Sequence, residues 1–124
     1  MLELYKCENC GKIVLVVQDG EGNLDCCQQP MVRIAEKTDD AGMEKHVPVI
    51  EKTANGIRIK VGAVPHPMEK EHYIKWIEVM GDTFLNTATL QPGDKTEMEF
   101  CVDFAHVQKV RIFCNVHGFW KNKP

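Results

Sequence analysis

The chain has 124 residues, of which 44% are hydrophobic and 27% charged, and its formal net charge is -3. This length fits one ordinary domain or two small ones. Because charges of both signs are mixed and no basic stripe is present, nucleic acid is not expected as a partner. No apolar run approaches membrane-spanning length, so no membrane association is expected. The first residues also lack the pattern of a signal peptide, which favours the cytoplasm.

Four N-terminal cysteines have the spacing of metal ligands. Cys7 to Gly11 is a C-x-x-C-G turn, and its glycine permits a left-handed backbone that points amide N–H groups at the sulfurs. An apolar run from Ile13 to Val17 predicts a short strand before the second pair of cysteines. The predicted ligands are Cys7, Cys10, Cys26 and Cys27. In a reducing compartment such thiols favour metal binding over disulfides.

The residues leave the identity of this metal open. A C-x-x-C turn near a second cysteine pair is generic for zinc. Cys26 and Cys27 are adjacent, however, and adjacent side chains tend to point apart, so both would reach one ion only at a distorted angle. Zinc has no geometric preference from its d electrons and high-spin iron has little, so zinc and iron remain equally acceptable. A disulfide between the two is disfavoured by a reducing compartment.

The polar stretch from Glu36 to Gly42 predicts a linker, assigned to residues 37–42, between domains at 1–36 and 43–124. The first domain is too short to bury much core, so its metal should supply much of the folding free energy. The second domain contains alternating apolar residues and turns that predict short strands. Tyr73 to Met80 also fits helical spacing, but the regular strands around it favour a strand. About seven short strands predict an immunoglobulin-like antiparallel β-sandwich.

The second domain also contains four histidines and a cysteine that could bind one ion. Cys114 and His117 are three residues apart, so a single tight turn can present both. Cys114 shares a strand face with Val110 and Ile112, so it should point inward. A lone histidine is more often structural than a ligand, and the prediction therefore depends on the grouping. The candidate ligands are His46, His66 (between Pro65 and Pro67), His72, Cys114 and His117.

The number of candidate ligands favours iron at this second site. Structural zinc is normally four-coordinate, and two of the four histidines would be surplus at a blue-copper site. Five ligands on an octahedral ferrous ion leave one position open, and a thiolate would push electron density toward whatever binds there. Cys101 has no partner at metal-ligand spacing and is expected to be a bystander thiol, whereas His106 stands apart and is expected to be structural or exposed.

The sequence resembles the desulfoferrodoxins, the two-iron class of superoxide reductase, over almost its whole length. The resemblance rests on Tyr5 through Gly11, Cys26-Cys27 with Pro30-Met31, Met43 through Pro48, Gly62 through His72, and Cys114 through Gly118. It implies a desulforedoxin-like domain with an iron centre of four cysteine thiolates, and so iron rather than zinc, followed by an immunoglobulin-like sandwich. The second iron would have four equatorial histidines and an axial cysteine, at the five candidate positions given above.

The resemblance also implies the reaction and its partners. Superoxide would be reduced by one electron to hydrogen peroxide, with re-reduction by an external donor such as rubredoxin, in a homodimer that detoxifies reactive oxygen. Glu44 would be the sixth iron ligand in the ferric state, and Lys45 would be the catalytic lysine. Whether the first centre relays electrons or only stabilises the protein stays open.

Two other classes of function remain as alternatives at this point. A non-catalytic electron carrier using only the four-cysteine iron would leave the histidine cluster unexplained. A zinc-stabilised binding module would be colourless. A side activity as a superoxide dismutase is also compatible with the sequence.

Overall fold

The computed structural model describes residues 2–38 and 45–123. The chain forms two compact units, Met1–Ala35 and Glu36–Pro124. All sheet ladders are antiparallel, and one short 3-10 turn at Phe104–His106 is the helical element of the described residues. Within the described ranges there is no helix long and apolar enough to cross a membrane. The prediction of an all-β protein is confirmed.

The first unit is built from five very short strands. They are β1 (Leu4–Lys6), β2 (Ile13–Leu15), β3 (Asp25–Cys26), β4 (Gln29–Pro30) and β5 (Val32–Arg33). Strand β1 is central in a three-stranded sheet of order β2-β1-β5, and β3 pairs with β4 as a separate ribbon. Among the described residues of this unit only Leu4 and Cys7 are fully buried. Apolar packing therefore contributes little to its stability.

The second unit consists of two antiparallel sheets. Its strands are β6 (Pro48–Lys52), β7 (Ile57–Val61), β8 (Ile74–Gly81), β9 (Leu85–Thr89), β10 (Glu97–Phe100), β11 (Val107–Cys114) and β12 (Gly118–Lys121). One sheet has the order β10-β7-β6 and the other β12-β11-β8-β9. This arrangement agrees with the predicted sandwich. Strand β12, which pairs with β11, was not predicted.

The core of the second unit lies between these sheets. In β7 the residues Ile57, Ile59 and Val61 are fully buried, while the intervening Arg58 and Lys60 are partly exposed. They belong to one apolar cluster with residues of the other sheet, including Ile77 and Ile112. This period-two alternation is what a strand with one buried face requires.

The segment whose sequence suggested either helix or strand is strand β8. Its helix-like pattern arises because both faces of β8 are buried. Ile77 and Val79 point into the core, while Glu78 is buried on the opposite face against Arg111, whose Nε donates to Glu78 Oε2 at 2.7 Å. Arg111 and Glu78 are direct cross-strand partners. The face of β8 opposite the core therefore contains a buried ion pair, whereas a half-buried strand would have exposed polar residues on that face.

The start of the predicted linker is attached to the second unit. The N–H of Lys37 donates to Phe119 O, and the N–H of Lys121 donates to Lys37 O, both at 2.9 Å. Lys109 Nζ lies 3.0 Å from both carboxylate oxygens of Glu36. Residues 39–44, which include positions 39–42 of the predicted linker and Glu44, lie outside the described residues. The division into 1–36, 37–42 and 43–124 stays a prediction.

Candidate metal centres

The four N-terminal cysteines converge. The Sγ atoms of Cys7, Cys10, Cys26 and Cys27 all lie within 4.8 Å of one another. Cys26 Sγ is 3.7 Å from Cys10 Sγ and 3.9 Å from Cys27 Sγ. A tetrahedron with metal–sulfur bonds of about 2.3 Å has sulfur–sulfur edges of about 3.8 Å. The group therefore has the dimensions of a four-thiolate metal site.

The first pair of these cysteines lies on a turn that stabilises a thiolate. The N–H of Gly11 donates to Cys7 O at 2.9 Å, and Gly11 has a positive φ of 82°. Backbone N–H groups of Cys10 and then Asn9 lower the pKa of the Cys7 thiol to about 6, although burial opposes the shift. The turn thus supplies donors to a sulfur ligand before any cation binds.

The adjacent second pair reaches the same point through an unusual turn. Cys26 pairs with Gln29 across the β3–β4 ribbon, so Cys27 and Gln28 form a two-residue loop. Both have positive φ, 53° and 62°, which is the signature of a type I′ hairpin turn. For residues other than glycine this conformation costs about 1–2 kcal/mol each. The turn directs both neighbouring sulfurs toward the same point, although adjacent side chains were expected to point apart. Metal binding can offset its conformational cost.

Four histidines of the second unit form a closed ring of imidazoles. Neighbouring rings in the order His46, His66, His72, His117 and back to His46 lie edge to face, with centroids 4.7–4.9 Å apart and planes inclined by 66–83°. One nitrogen of each ring and Cys114 Sγ all lie within 4.8 Å of one another. The five predicted ligands are thus brought together around one point.

The nitrogens that face this point are the ones able to bind a cation. His66 Nδ1 lies 2.6 Å from Pro67 O, so its N–H donates there and Nε2 keeps the lone pair. His66 Nε2 and His72 Nε2 are buried without a hydrogen-bond partner. His46 Nε2 is 3.2 Å from His117 Nδ1, and cis nitrogens about 2.1 Å from one metal are about 3.0 Å apart. These orphaned nitrogens and their spacing fit a metal ion.

The electrostatics of the site favour the neutral forms of His66 and His72. Burial, the larger cause, lowers the pKa of His66 to about 4, and the neighbouring imidazoles add to this shift. Burial also lowers the pKa of His72, followed by repulsion from His117 and a smaller effect of Lys45. Neutral imidazole is the form that coordinates a metal.

Cys114 and His117 are presented by the hairpin between β11 and β12. Cys114 pairs with Gly118 across a three-residue loop, and Gly118 has φ 87°, a conformation that favours glycine. The N–H of His117 lies 3.4 Å from Cys114 Sγ. Cys114 is fully buried, as its strand position predicted. Burial raises the pKa of its thiol, while the N–H groups of His117 and Val116 and the charge on Lys37 oppose the rise.

Asn115 joins this loop to the segment that contains His72. Its Oδ1 accepts from the N–H of Tyr73 at 2.9 Å, its own N–H donates to Tyr73 O at 3.2 Å, and its Nδ2 donates to Glu71 O at 3.0 Å. Two segments that carry candidate ligands and are far apart in the chain are therefore fixed against each other. Sequence reasoning did not assign Asn115 this role, because a loop asparagine alone does not reveal its long-range partner.

Trp120 is a second residue of the site that sequence reasoning did not identify. Its ring stacks on the His46 imidazole with centroids 4.6 Å apart and planes 13° apart. Its Nε1 donates to His117 O at 3.2 Å. The missed strand β12 places Trp120 there. The aromatic pattern Phe119-Trp120 after Gly118 is the signal that could have indicated this strand.

The remaining predicted residues lie outside both ligand groups. Lys45 precedes His46 and is partly buried, whereas Glu44 is outside the described residues. Cys101 is exposed. His106 is also exposed, with Nδ1 3.8 Å from Asp103 Oδ2. Neither belongs to a metal-binding group within the described ranges.

Comparison with known families matches both units. Residues 1–34 match the model of the desulfoferrodoxin N-terminal domain, and residues 38–123 match the desulfoferrodoxin model. The chain belongs to the desulfoferrodoxin family. Membership in this family, together with the four-cysteine group and the group of four histidines and one cysteine, supports two non-haem iron sites.

Individual relatives cover nearly the whole chain or its larger part. A desulfoferrodoxin from Nitratidesulfovibrio vulgaris is 51% identical over 119 residues, which are 96% of this chain and 94% of the relative. A superoxide reductase from Pyrococcus horikoshii is 32% identical over 75% of this chain and 96% of its own length. The crystal structure of the superoxide reductase from Treponema pallidum has a TM-score of 0.78 at 26% identity, covering 99% of this chain and 98% of that one.

Proposed function

We propose that the chain is a superoxide reductase that converts superoxide, one electron and two protons into hydrogen peroxide. The observation that carries this proposal is the ring of four imidazoles around the Sγ of Cys114, with one nitrogen of each ring and the Sγ all within 4.8 Å of one another. Iron held there would supply the electron and an open coordination position. Five ligands leave that position on an octahedral ion, whereas four thiolates would saturate a tetrahedral one.

The ligand roles follow from the described contacts. His46, His66 and His72 would bind the second iron through Nε2 and His117 through Nδ1, because these are the nitrogens that face one another. Cys114 would be the thiolate ligand, stabilised by the backbone N–H of His117. Cys7, Cys10, Cys26 and Cys27 would hold the first iron.

Lys45 and Glu44 would act on different events at the open position. Lys45 adjoins the ligand His46, and its charge contributes to the lowered pKa of His72, after burial and His117. A cation there attracts a small anionic substrate and can orient water that delivers protons. Glu44, the next residue toward the N-terminus, is proposed as the sixth ligand of the oxidised centre.

The partners proposed for this reaction are superoxide and a small electron-donor protein such as rubredoxin, acting on a homodimer. Exposure of Cys10 and Cys27 supports access of a donor to the first centre. We further propose a reducing compartment, the cytoplasm, because all six cysteines are free and thiolate ligands must stay reduced. Removal of superoxide would make the protein part of the defence against reactive oxygen.

The test is metal analysis combined with visible spectroscopy and pulse radiolysis of the purified full chain. Two irons per chain are expected, one for each ligand group, with two distinct sets of thiolate-to-iron absorption bands. Superoxide should oxidise the reduced second centre in a second-order reaction that yields peroxide. Zinc in both sites would establish the binding module instead. Iron in the first site alone would leave only an electron carrier.

A further inference from the structure

Lys37, which the sequence places in a linker, lies against the second centre. Its Nζ is 2.9 Å from His117 O, and the same carbonyl accepts from Trp120 Nε1. The Nζ also lies 5.2 Å from the centroid of the Trp120 ring. The ammonium is thus held beside two residues of the site, one a proposed ligand and the other stacked on a proposed ligand.

The backbone fixes this position independently of the ammonium. Lys37 forms a β-bridge with Trp120, made of hydrogen bonds to Phe119 O and from the N–H of Lys121. Glu36 is paired with Lys109. Substitution of the Lys37 side chain should therefore leave the main chain in place, which separates the effect of the charge from the effect of the fold.

We propose that Lys37 is a positioning residue of the second centre, whose ammonium pins the carbonyl of His117 and makes the bound iron easier to reduce. The inference rests on the proposed iron site. A fixed positive charge near a metal favours the state with the lower positive charge, here ferrous over ferric. The carbonyl that Lys37 contacts belongs to His117, whose own N–H lies 3.4 Å from Cys114 Sγ.

This role differs from the one proposed for Lys45. Lys45 would act on the arrival of superoxide, whereas Lys37 would act on the equilibrium between ferrous and ferric iron. Lys37 is exposed, so salt should weaken its effect, because the Debye length falls from about 30 Å at 0.01 M to about 3 Å at 1 M. The expected change is therefore moderate and dependent on ionic strength.

The experiment is a redox titration of the iron-loaded full chain, followed through the thiolate-to-iron band of the second centre. At low salt, Lys37→Met should lower the ferrous-to-ferric ratio at a fixed applied potential by about threefold to tenfold; tenfold corresponds to about 59 mV for one electron. High salt should reduce the difference. Lys37→Arg should restore the ratio to within about twofold, because the charge is kept. Lys109→Met, which removes a cation that pairs with the same segment, is the matched control and should change nothing.

A second measurement does not require iron. In the metal-free chain, Lys37→Met should shift the indole N–H resonance of Trp120, which shares the His117 carbonyl, and leave that of Trp76 in place. An unchanged Trp120 resonance, or a titration equal to wild type at low salt, would overturn the inference. An equal shift of the ratio in Lys109→Met would also overturn it, since the effect would then come from loosening the segment. Wild-type protein without the second thiolate band would instead sink the proposed function, while the resonance test still decides on Lys37.

Discussion

The two ligand groups sit in units of opposite character. The first group is carried by strands of two or three residues, with Leu4 and Cys7 as the fully buried residues among those described. The second is at the edge of a sandwich whose apolar cluster joins both sheets. Two adjacent residues of the first unit, the candidate ligand Cys27 and its neighbour Gln28, adopt positive φ. We therefore expect metal binding to stabilise the fold of the first unit. In the second unit we expect the fold itself to position the metal ligands.

The difference extends to what each metal could do. Four thiolates complete a tetrahedral shell, so the first centre has no position for a substrate and is suited to structure or electron transfer. In the second unit the site is prearranged by hydrogen bonds outside the shell, at His66 Nδ1 and at Asn115. Such outer contacts orient ligands and keep an incomplete shell from collapsing.

Removal of the metals should produce the largest difference in stability between the two units. A chelator is expected to unfold the first unit, because this unit has little apolar core. Metal binding would also no longer offset the conformational cost of the turn at Cys27. The second unit should keep its sheets. Hydrogen exchange of the metal-free chain measures this: amides of β1 should exchange at near-unfolded rates, while those of β7 stay protected. Equal protection of β1 and β7 would remove the contrast between the units.

Single ligand substitutions should abolish one centre at a time. Cys114→Ser should eliminate the thiolate-to-iron band of the second centre and reduce the superoxide rate by more than about tenfold, since the thiolate tunes both iron potential and product release. The bands of the first centre should persist. Visible spectra and pulse radiolysis check both statements.

The reciprocal variant is the control. Cys10→Ser should abolish the first spectrum and leave the single-turnover reaction of the pre-reduced second centre intact. A chain starting at Glu36, which retains the contacts of Glu36 and Lys37, should behave in the same way. If either lost the single-turnover reaction while correctly folded, the two centres would be interdependent.

Asn115→Ala tests whether the fold prearranges the second site. It removes two side-chain hydrogen bonds, each worth about 0.5–1.5 kcal/mol, so the free energy of unfolding should fall by about 1–3 kcal/mol. Iron affinity of the second site should also fall. Asn55→Ala, at an exposed turn position, is the matched control and should stay within about 0.5 kcal/mol. Thermal or denaturant unfolding measures both, and equal stability of the two variants would argue against a clamp at Asn115.

Sequence reasoning could group the candidate ligands, which the structure brings together, because their chemistry is local. Cysteine and histidine at short spacings, and prolines on both sides of His66, are visible without a fold. The buried face of β7 was equally visible, since Ile57, Ile59 and Val61 alternate with charged residues. The all-β class followed from such patterns.

The parts that the sequence did not reveal depend on long-range partners. The helix-like pattern around β8 arises because both faces of the strand are buried, and the face opposite the core includes the pair of Glu78 with Arg111, 33 residues away. The role proposed for Lys37 depends on a contact with His117, 80 residues away. The turn at Cys27 and Gln28 has none of the Asn-Gly or Asp-Gly residues typical of type I′, so no local signal marks it.

The smallest expected effect concerns the open position, which only the second centre should have. Lys45→Ala should slow the second-order reaction of superoxide with the reduced iron severalfold at low salt and flatten its salt dependence, because the Debye length is only about 8 Å at physiological ionic strength. Lys45→Arg should keep much of the rate, since charge rather than geometry attracts the anion.

Glu44→Ala distinguishes the encounter of superoxide with the reduced iron from the later binding of Glu44 to the oxidised iron. An anion at this position does not attract superoxide, and its proposed ligation follows oxidation, so the encounter rate should stay nearly constant while the ferric spectrum and its response to azide change. Pulse radiolysis of Lys45→Ala and Glu44→Ala across a range of salt concentrations compares the two steps directly. A Lys45→Ala rate equal to wild type at low salt would reduce this lysine to a solvated charge. The reactivity of the open position would then come from the prearranged ligands alone. The two centres would differ in coordination number, and electrostatic attraction of superoxide would not add to that difference.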